Sequence, residues 1–312
     1  MKRRLLLVNL LFITVYLFSY KIALPMGPTL VSVLPITEGR IAPEGNYEFV
    51  HWKSFDEAIA MVASRQVSAI LLPVSYGATL HDKGLPVKLV AVTLWNSFFC
   101  VSDGWDYTGI ASLRSQTLYF AQGKGQTADV VLRILLKAKG LDPDRDLSMK
   151  YLSPPEIVAF FQKGLATLAI VPEPYASLIL NLKPKASIAF DLQTLWQETL
   201  KTAFRLPVTG LFYVPAANEP PSQTKDQVNT LRQDFQKATG FLSNHLEEMA
   251  ALATSVFPGM AEGVILRSIG NSEYDFSFSE EDKKALIHYF DTISRFLPES
   301  LPAVPDEDFY LF

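Results

Sequence analysis

Two short motifs in the 312-residue chain combine residue types able to bind a small molecule. Residues 123–127 read Gly-Lys-Gly-Gln-Thr, between an apolar run ending at Gln122 and an amphipathic run starting at Ala128. Glycines such as Gly125 let the backbone approach a ligand, and a helix start at Gln126–Thr127 offers unpaired N–H groups at the positive end of the dipole. Thr127 can cap that helix or give its hydroxyl to an anion. The stretch lacks the full GxxxxGK[ST] pattern and no GxGxxG follows a strand, so a nucleotide is not expected. The second motif, PxxY, occurs twice: Pro73 with Tyr76, and Pro172 with Tyr175. Val74 and Ser75 fill the first copy, whereas the second holds an acid, Glu173. That carboxylate could accept hydrogen bonds from an amine, or serve only as a loop acid or a helix N-terminal charge. Trp95 and Asn96 end a long apolar run, where an indole could stack on a planar ligand and an amide orient it; burial of Trp95 as plain core is the alternative.

Other chemistries are poorly served. Four scattered histidines and the single Cys100 supply no CxxC or HExxH spacing, so neither a metal nor a cofactor is expected. There is no GxSxG and no histidine beside a plausible nucleophile, which argues against an enzyme. The formal net charge is −4, with no basic cluster beyond the first four residues, which argues against nucleic acid.

These motifs sit in a repeating plan of strand, helix and strand. Strands are expected over Tyr20–Leu24, Tyr47–Trp52, the SAILLP run and VKLVAVTLW, then over TLYFAQ, MKYLS and LAIVP. Ser54 with Glu57, and Ser153 with Glu156, share the capping-box spacing at two helix starts. Short connections between alternating elements specify α/β units with mainly parallel sheets. Two lobes of one architecture are expected: lobe I over 20–108 and 207–312, lobe II over 109–206. Two crossings, near Ser102–Leu113 and Ile188–Leu206, would make a two-strand hinge. Amphipathic helices are expected from Thr224 to about His245 and over Glu280–Phe296, with a proline-rich C-terminal strap. In parallel sheets ligands bind beyond the carboxyl ends of the strands. That rule selects Gly27, Pro28 and Thr29; Val74 and Ser75; Trp95 and Asn96; Gly125, Gln126 and Thr127; and Glu173 with Tyr175. Residues 1–19 pair a basic start, Lys2-Arg3-Arg4, with a short apolar run, the pattern of a secretory signal peptide; an uncleaved anchor is the alternative. No cysteine follows for lipid attachment.

The run FDEAIAMVASRQVSAILLPVSYGATLHDKGLPVKLVAVT resembles the first lobe of periplasmic substrate-binding proteins of ABC importers. The stretch from SLRSQTLYFAQGKGQT through the LDP turn to LAIVPEPYASLIL resembles their second lobe, and LPAVPDEDFY their tail. The similarity is to the NMT1/THI5-like group of sulfonate, nitrate and thiamine-precursor binders. It implies a type II periplasmic binding fold, closing on a small polar or anionic organic molecule and delivering it to a membrane permease with its ATPase. A monomer without cofactor is implied, and Thr209, after the return crossing, joins the implied contacts. An exported sensing domain is the alternative, with an enzyme of the same superfamily behind it; the superfamily's enzymes carry a cysteine-rich motif that a single Cys cannot supply.

Overall fold

The protein is described by a computed structural model covering residues 19–276 and 278–311, so the leader expected at 1–19 lies, save for Ser19, outside the described residues. Strands β1 (Ser19–Pro25), β2 (Asn46–Trp52), β3 (Ala69–Pro73) and β4 (Lys88–Leu94) alternate with helices α1 (Leu34–Thr37), α2 (Phe55–Ala63) and α3 (Val74–Asp82). The chain then passes to strand β5 (Phe98–Asp103), β6 (Thr117–Phe120), β7 (Ser148–Tyr151), β8 (Leu168–Pro172) and β9 (Ala186–Asp191), with α4 (Thr127–Ala138), α5 (Pro154–Gln162), α6 (Tyr175–Leu182) and α7 (Leu192–Leu200). It returns in β10 (Thr209–Tyr213) and ends in α8 (Pro221–Asn244), α9 (Leu246–Ala253), α10 (Glu262–Asn271) and α11 (Glu280–Phe296).

Two five-stranded sheets result, ordered β2-β1-β3-β10-β4 and β7-β6-β8-β5-β9. Within each, four strands share one direction and the strand next to the edge, β10 or β5, runs antiparallel to both its neighbours. The sheets are therefore mixed, with a parallel majority. β3 and β8 are almost wholly buried, as continuous apolar runs covered on both faces must be. Both expected caps form: Ser54 accepts from the Glu57 N–H, and Ser153 and Glu156 close a full capping box. α3 lies close on β10 because position 77 is glycine; a Cβ there would fall 2.1 Å from the Phe212 ring.

The crossings differ from expectation. The first is the three residues Trp95–Ser97 rather than 102–113, because β5 already pairs in the second sheet. β9 stays in that sheet beside β5, and α7 packs on α4, so the return runs only through 201–208. The C-terminal segment then braces both lobes. α10 packs against α6, and α11 against α4, where Lys137 Nζ donates to the Phe296 carbonyl at 2.9 Å. The tail forms the expected strap: Tyr310 bridges to Leu89, and the Leu311 N–H donates to the Leu89 carbonyl at 2.9 Å.

Arg205 fastens the two crossings. Its guanidinium lies 4.0 Å over the Trp95 ring. It donates to Glu273 and Asp275 at 2.7 Å each and to Asp282 at 2.5 Å. The Trp95 N–H in turn donates to the Glu273 carbonyl, and the Glu273 N–H to that of Asn96.

Candidate functional site

The carboxyl ends of the parallel strands in both lobes face a cleft of about 520 Å³. Lobe I contributes the turn after β1, Pro25 to Thr29; the end of β2, Trp52 with Lys53, Ser54 and Phe55; Pro73, Leu94, Val208 and Thr209. Lobe II contributes Ser97, Phe98, Ala121, Gln122, Gln126, Thr127, Pro154, Pro172 and Tyr175. Val256 and Phe257, between α9 and α10, close one side.

Most of this wall is apolar and held in place by the sheets. The Trp52 indole N–H is tied to the Leu71 carbonyl at 3.3 Å, and its ring meets Phe55. Phe55 stacks at 4.1 Å on Tyr76, behind which lies a smaller chamber of about 160 Å³ lined by Ser75, Gly125 and Gln126 among others. The hydroxyls of Thr29 and Thr209 sit 3.5 Å apart on the floor. Burial pushes the Tyr175 phenol up, which keeps it a neutral donor.

The polar groups that remain are mainly donors. In the glycine loop, the Gln126 side-chain oxygen accepts from the Gly123 N–H and that of Gln122 from the Ala128 N–H. Gly125, at φ 83°, turns its N–H to Asp129 at 2.8 Å. These bonds consume the amide oxygens and leave both Nε2 groups without a partner among the described residues. The Thr127 hydroxyl, at the first position of α4, is buried and has no hydrogen-bond partner among the described residues. Among the described residues Lys53 is the one charged side chain in the lining, and no carboxylate lines it. Unpaired donors, a cation and the start of α4 together favour an acceptor-rich or anionic ligand group.

Seven residues selected by the sequence meet in the main cleft: Gly27, Pro28, Thr29, Gln126, Thr127, Tyr175 and Thr209. Ser75 and Gly125 line the smaller chamber. Four do not fit. Val74 is fully buried at the start of α3, with its backbone N–H turned to the Val208 carbonyl. Trp95 is 0% exposed and Asn96 half-buried, because the strand end they occupy is the crossing between lobes. Glu173 is 1% exposed and its carboxylate is taken: Ser177 N–H at 3.0 Å, Ser177 hydroxyl at 2.9 Å and Asn271 Nδ2 at 2.7 Å. Burial pushes its carboxyl up, opposed by those three donors. The acid of the second PxxY thus joins α6 to α10 and lies outside the cleft lining.

Sequence reasoning overlooked Trp52, Lys53, Phe55, Gln122 and Pro154. The strand-end rule would have found them, since Trp52, Lys53 and Phe55 end or follow β2, Pro154 follows β7, and Gln122 stands just before the selected loop after β6. Phe257 had no such signal. Among the described residues no helix is long and apolar enough to cross a membrane, and no group of three His, Cys, Asp or Glu side chains could hold a metal ion.

The NMT1-like family model matches residues 89–246, just over half of the chain. The chain belongs to the NMT1-like family. An ABC transporter structure from Parabacteroides distasonis superposes on this member with a TM-score of 0.77 at 18% identity, covering 94% of this chain and 99% of that one. The periplasmic aliphatic sulphonate binding protein SsuA from Escherichia coli gives 0.69 at 15% identity, with 92% and 90% covered. The periplasmic nitrate-binding protein NrtA from Synechocystis PCC 6803 gives 0.64 at 15% identity, with 91% and 83% covered. These likenesses establish the periplasmic binding protein fold for this NMT1-like chain. No curated protein matches it.

Proposed function

We propose that the chain is the exported solute-binding component of an ABC import system. It captures a small organic molecule with an apolar or planar body and an anionic or acceptor-rich end, and hands it to a membrane permease and its ATPase. The observation that carries this reading is the cleft: both lobes build it, its walls are apolar, and its free polar groups are donors with no acid among them. The ligand would place its acceptor end against Thr127, the Gln122 and Gln126 amides and Lys53, and its body between Trp52, Phe55, Phe98 and Phe257. Contacts from both lobes would favour the closed arrangement, so affinity depends on how much better the closed state is bound. In this reading the protein acts as a monomer and without catalysis. The role is supported by family membership and by neighbours such as SsuA and NrtA.

A thermal-shift panel of sulfonates, carboxylates, nitrate, pyrimidine precursors, amino acids and polyamines tests this. A ligand at a hundred times its dissociation constant adds about 2.7 kcal/mol of apparent stability. The expected hits carry an anionic end on an apolar body, and Thr127→Val weakens them. Silence across the panel, or best binding by polyamines, overturns the proposed ligand class.

A further inference from the structure

A second groove lies at the opposite end of lobe I. In the first sheet Thr209 pairs with Leu94 at the cleft, while Tyr213 pairs with Lys88 at the far end. Four residues of β10 therefore separate the ends, about 14 Å at the usual strand rise. Beyond Lys88, a groove of about 680 Å³ runs between the first turns of α8 and the tail, walled by Pro215, Pro221, Val228, Tyr310 and Leu311.

Arg232 of α8 lines this groove, and its Nε and Nη2 are buried without a hydrogen-bond partner among the described residues. Its guanidinium lies 4.7 Å over the Phe278 ring. Burial lowers its affinity for its own proton, with no acid offsetting the effect. Buried guanidinium groups are ordinarily matched by a carboxylate fork, because leaving their donors unmet costs the desolvation in full. Among the described residues the one acid in the wall, Glu219, is taken by the Tyr213 and Thr224 hydroxyls and the Ala216 N–H. Lys88 is held by Asp308 at 2.5 Å, and exposed Lys225 adds positive charge at the rim.

From the unmet guanidinium and the apolar walls around it, we infer that this groove binds an organic monocarboxylate with an apolar body, independently of the cleft. The carboxylate pairs with the Arg232 guanidinium where it borders the groove, and the body lies along Val228 and Leu311.

Octanoate is the probe, titrated calorimetrically into the full chain, with inorganic phosphate as the control that lacks a body. Saturable octanoate binding is expected, with phosphate much weaker. Arg232→Met keeps the side chain's apolar stem and should weaken octanoate about tenfold or more, as loss of a charge-assisted bond implies. Asn229→Trp, which fills the groove from an exposed position, should do the same and stands in should Arg232→Met not fold. Gln126→Trp, which obstructs the cleft, should remove any octanoate bound there and leave the Arg232-dependent binding intact. Two results overturn the inference: no saturable binding, or loss in Gln126→Trp with retention in Arg232→Met. The second would place octanoate in the cleft and leave the proposed function standing.

Discussion

Replacing Arg205 by Met should loosen the joint between the lobes by an amount the geometry sets. The bonds to Glu273 and Asp275, at 2.7 Å each, involve carboxylates 41% and 37% exposed, so solvent screening leaves each worth under about 1 kcal/mol. The bond to Asp282 counts nearly in full, because that side chain is 7% exposed and loses its cationic partner; a charge-assisted bond contributes about 1.5–3 kcal/mol. The stacked contact with fully buried Trp95 adds about 1–2 kcal/mol. Methionine preserves the packing of the stem. The expected loss is therefore about 3–5 kcal/mol in urea unfolding, or roughly 6–12 °C in Tm. Arg205→Lys should recover only part of it, since one ammonium cannot span three carboxylates and stack on an indole. A double-mutant cycle with Asp282→Asn should show coupling of about 1–3 kcal/mol. A loss below about 1 kcal/mol, or complete rescue by lysine, would refute the account of Arg205 as the fastener of the hinge.

Asn271→Ala should cost about 1.5–3 kcal/mol by removing the donor that joins α10 to Glu173, measured by urea unfolding. Because the folded-state carboxyl of Glu173 is raised, its contribution is full below about pH 4.3, the unfolded value, and falls as pH climbs through the folded value; Glu173→Gln should flatten that decline in a pH series of melts. His288 behaves oppositely. Burial, with the Trp196 and Phe204 rings beside it, lowers its folded-state value, so stability is present above about pH 6.5 and drains away as pH falls through it, by at most about 1.4 kcal/mol per unit; His288→Gln should remove that acid limb. Met26, 63% exposed at the cleft, should change folding by less than about 0.5 kcal/mol when made serine, yet weaken an apolar-bodied ligand about fivefold in calorimetry.

Local signals in the chain were legible wherever local chemistry decides the outcome. The two Ser/Glu caps start α2 and α5 as their spacing requires, and Glu280–Phe296 is a helix to the residue. The glycine loop and the turn after β1 reach the cleft because a strand-end position depends only on strand direction. The readings that failed involve a partner far along the chain. Trp95 and Glu173 each sit at a strand end and look alike in sequence to Thr127. What removes them from the cleft is the stretch 271–282, which supplies Asn271 to Glu173 and a backbone partner to Trp95. No periodicity or cap in residues 95 or 173 announces an acceptor 178 positions away or a donor 98 positions away. The same distance explains why β5, expected in lobe I, was misplaced: its pattern says strand, while its sheet is settled by β8 and β9 much further along the chain.

The placement of β10 has a consequence for how the molecule is made. Each lobe's antiparallel strand arrives only after the chain has crossed over, but the two arrivals are not equally late. β5 precedes the other strands of the second sheet, so residues 98–206 hold every strand that sheet needs. The first sheet must wait: β3 and β4 stay separated until β10 inserts between them, a pairing that spans over a hundred residues, as the 116-position contact of Thr93 with Thr209 shows. Until then two long apolar strands present bare edges, the condition that invites mispairing and slows closure. Assembly should thus run from the middle of the chain outward, with the internal lobe formed first and the terminal halves of lobe I sealed last. A chaperone that shields β3 and β4 would act on the growing chain until β10 has emerged.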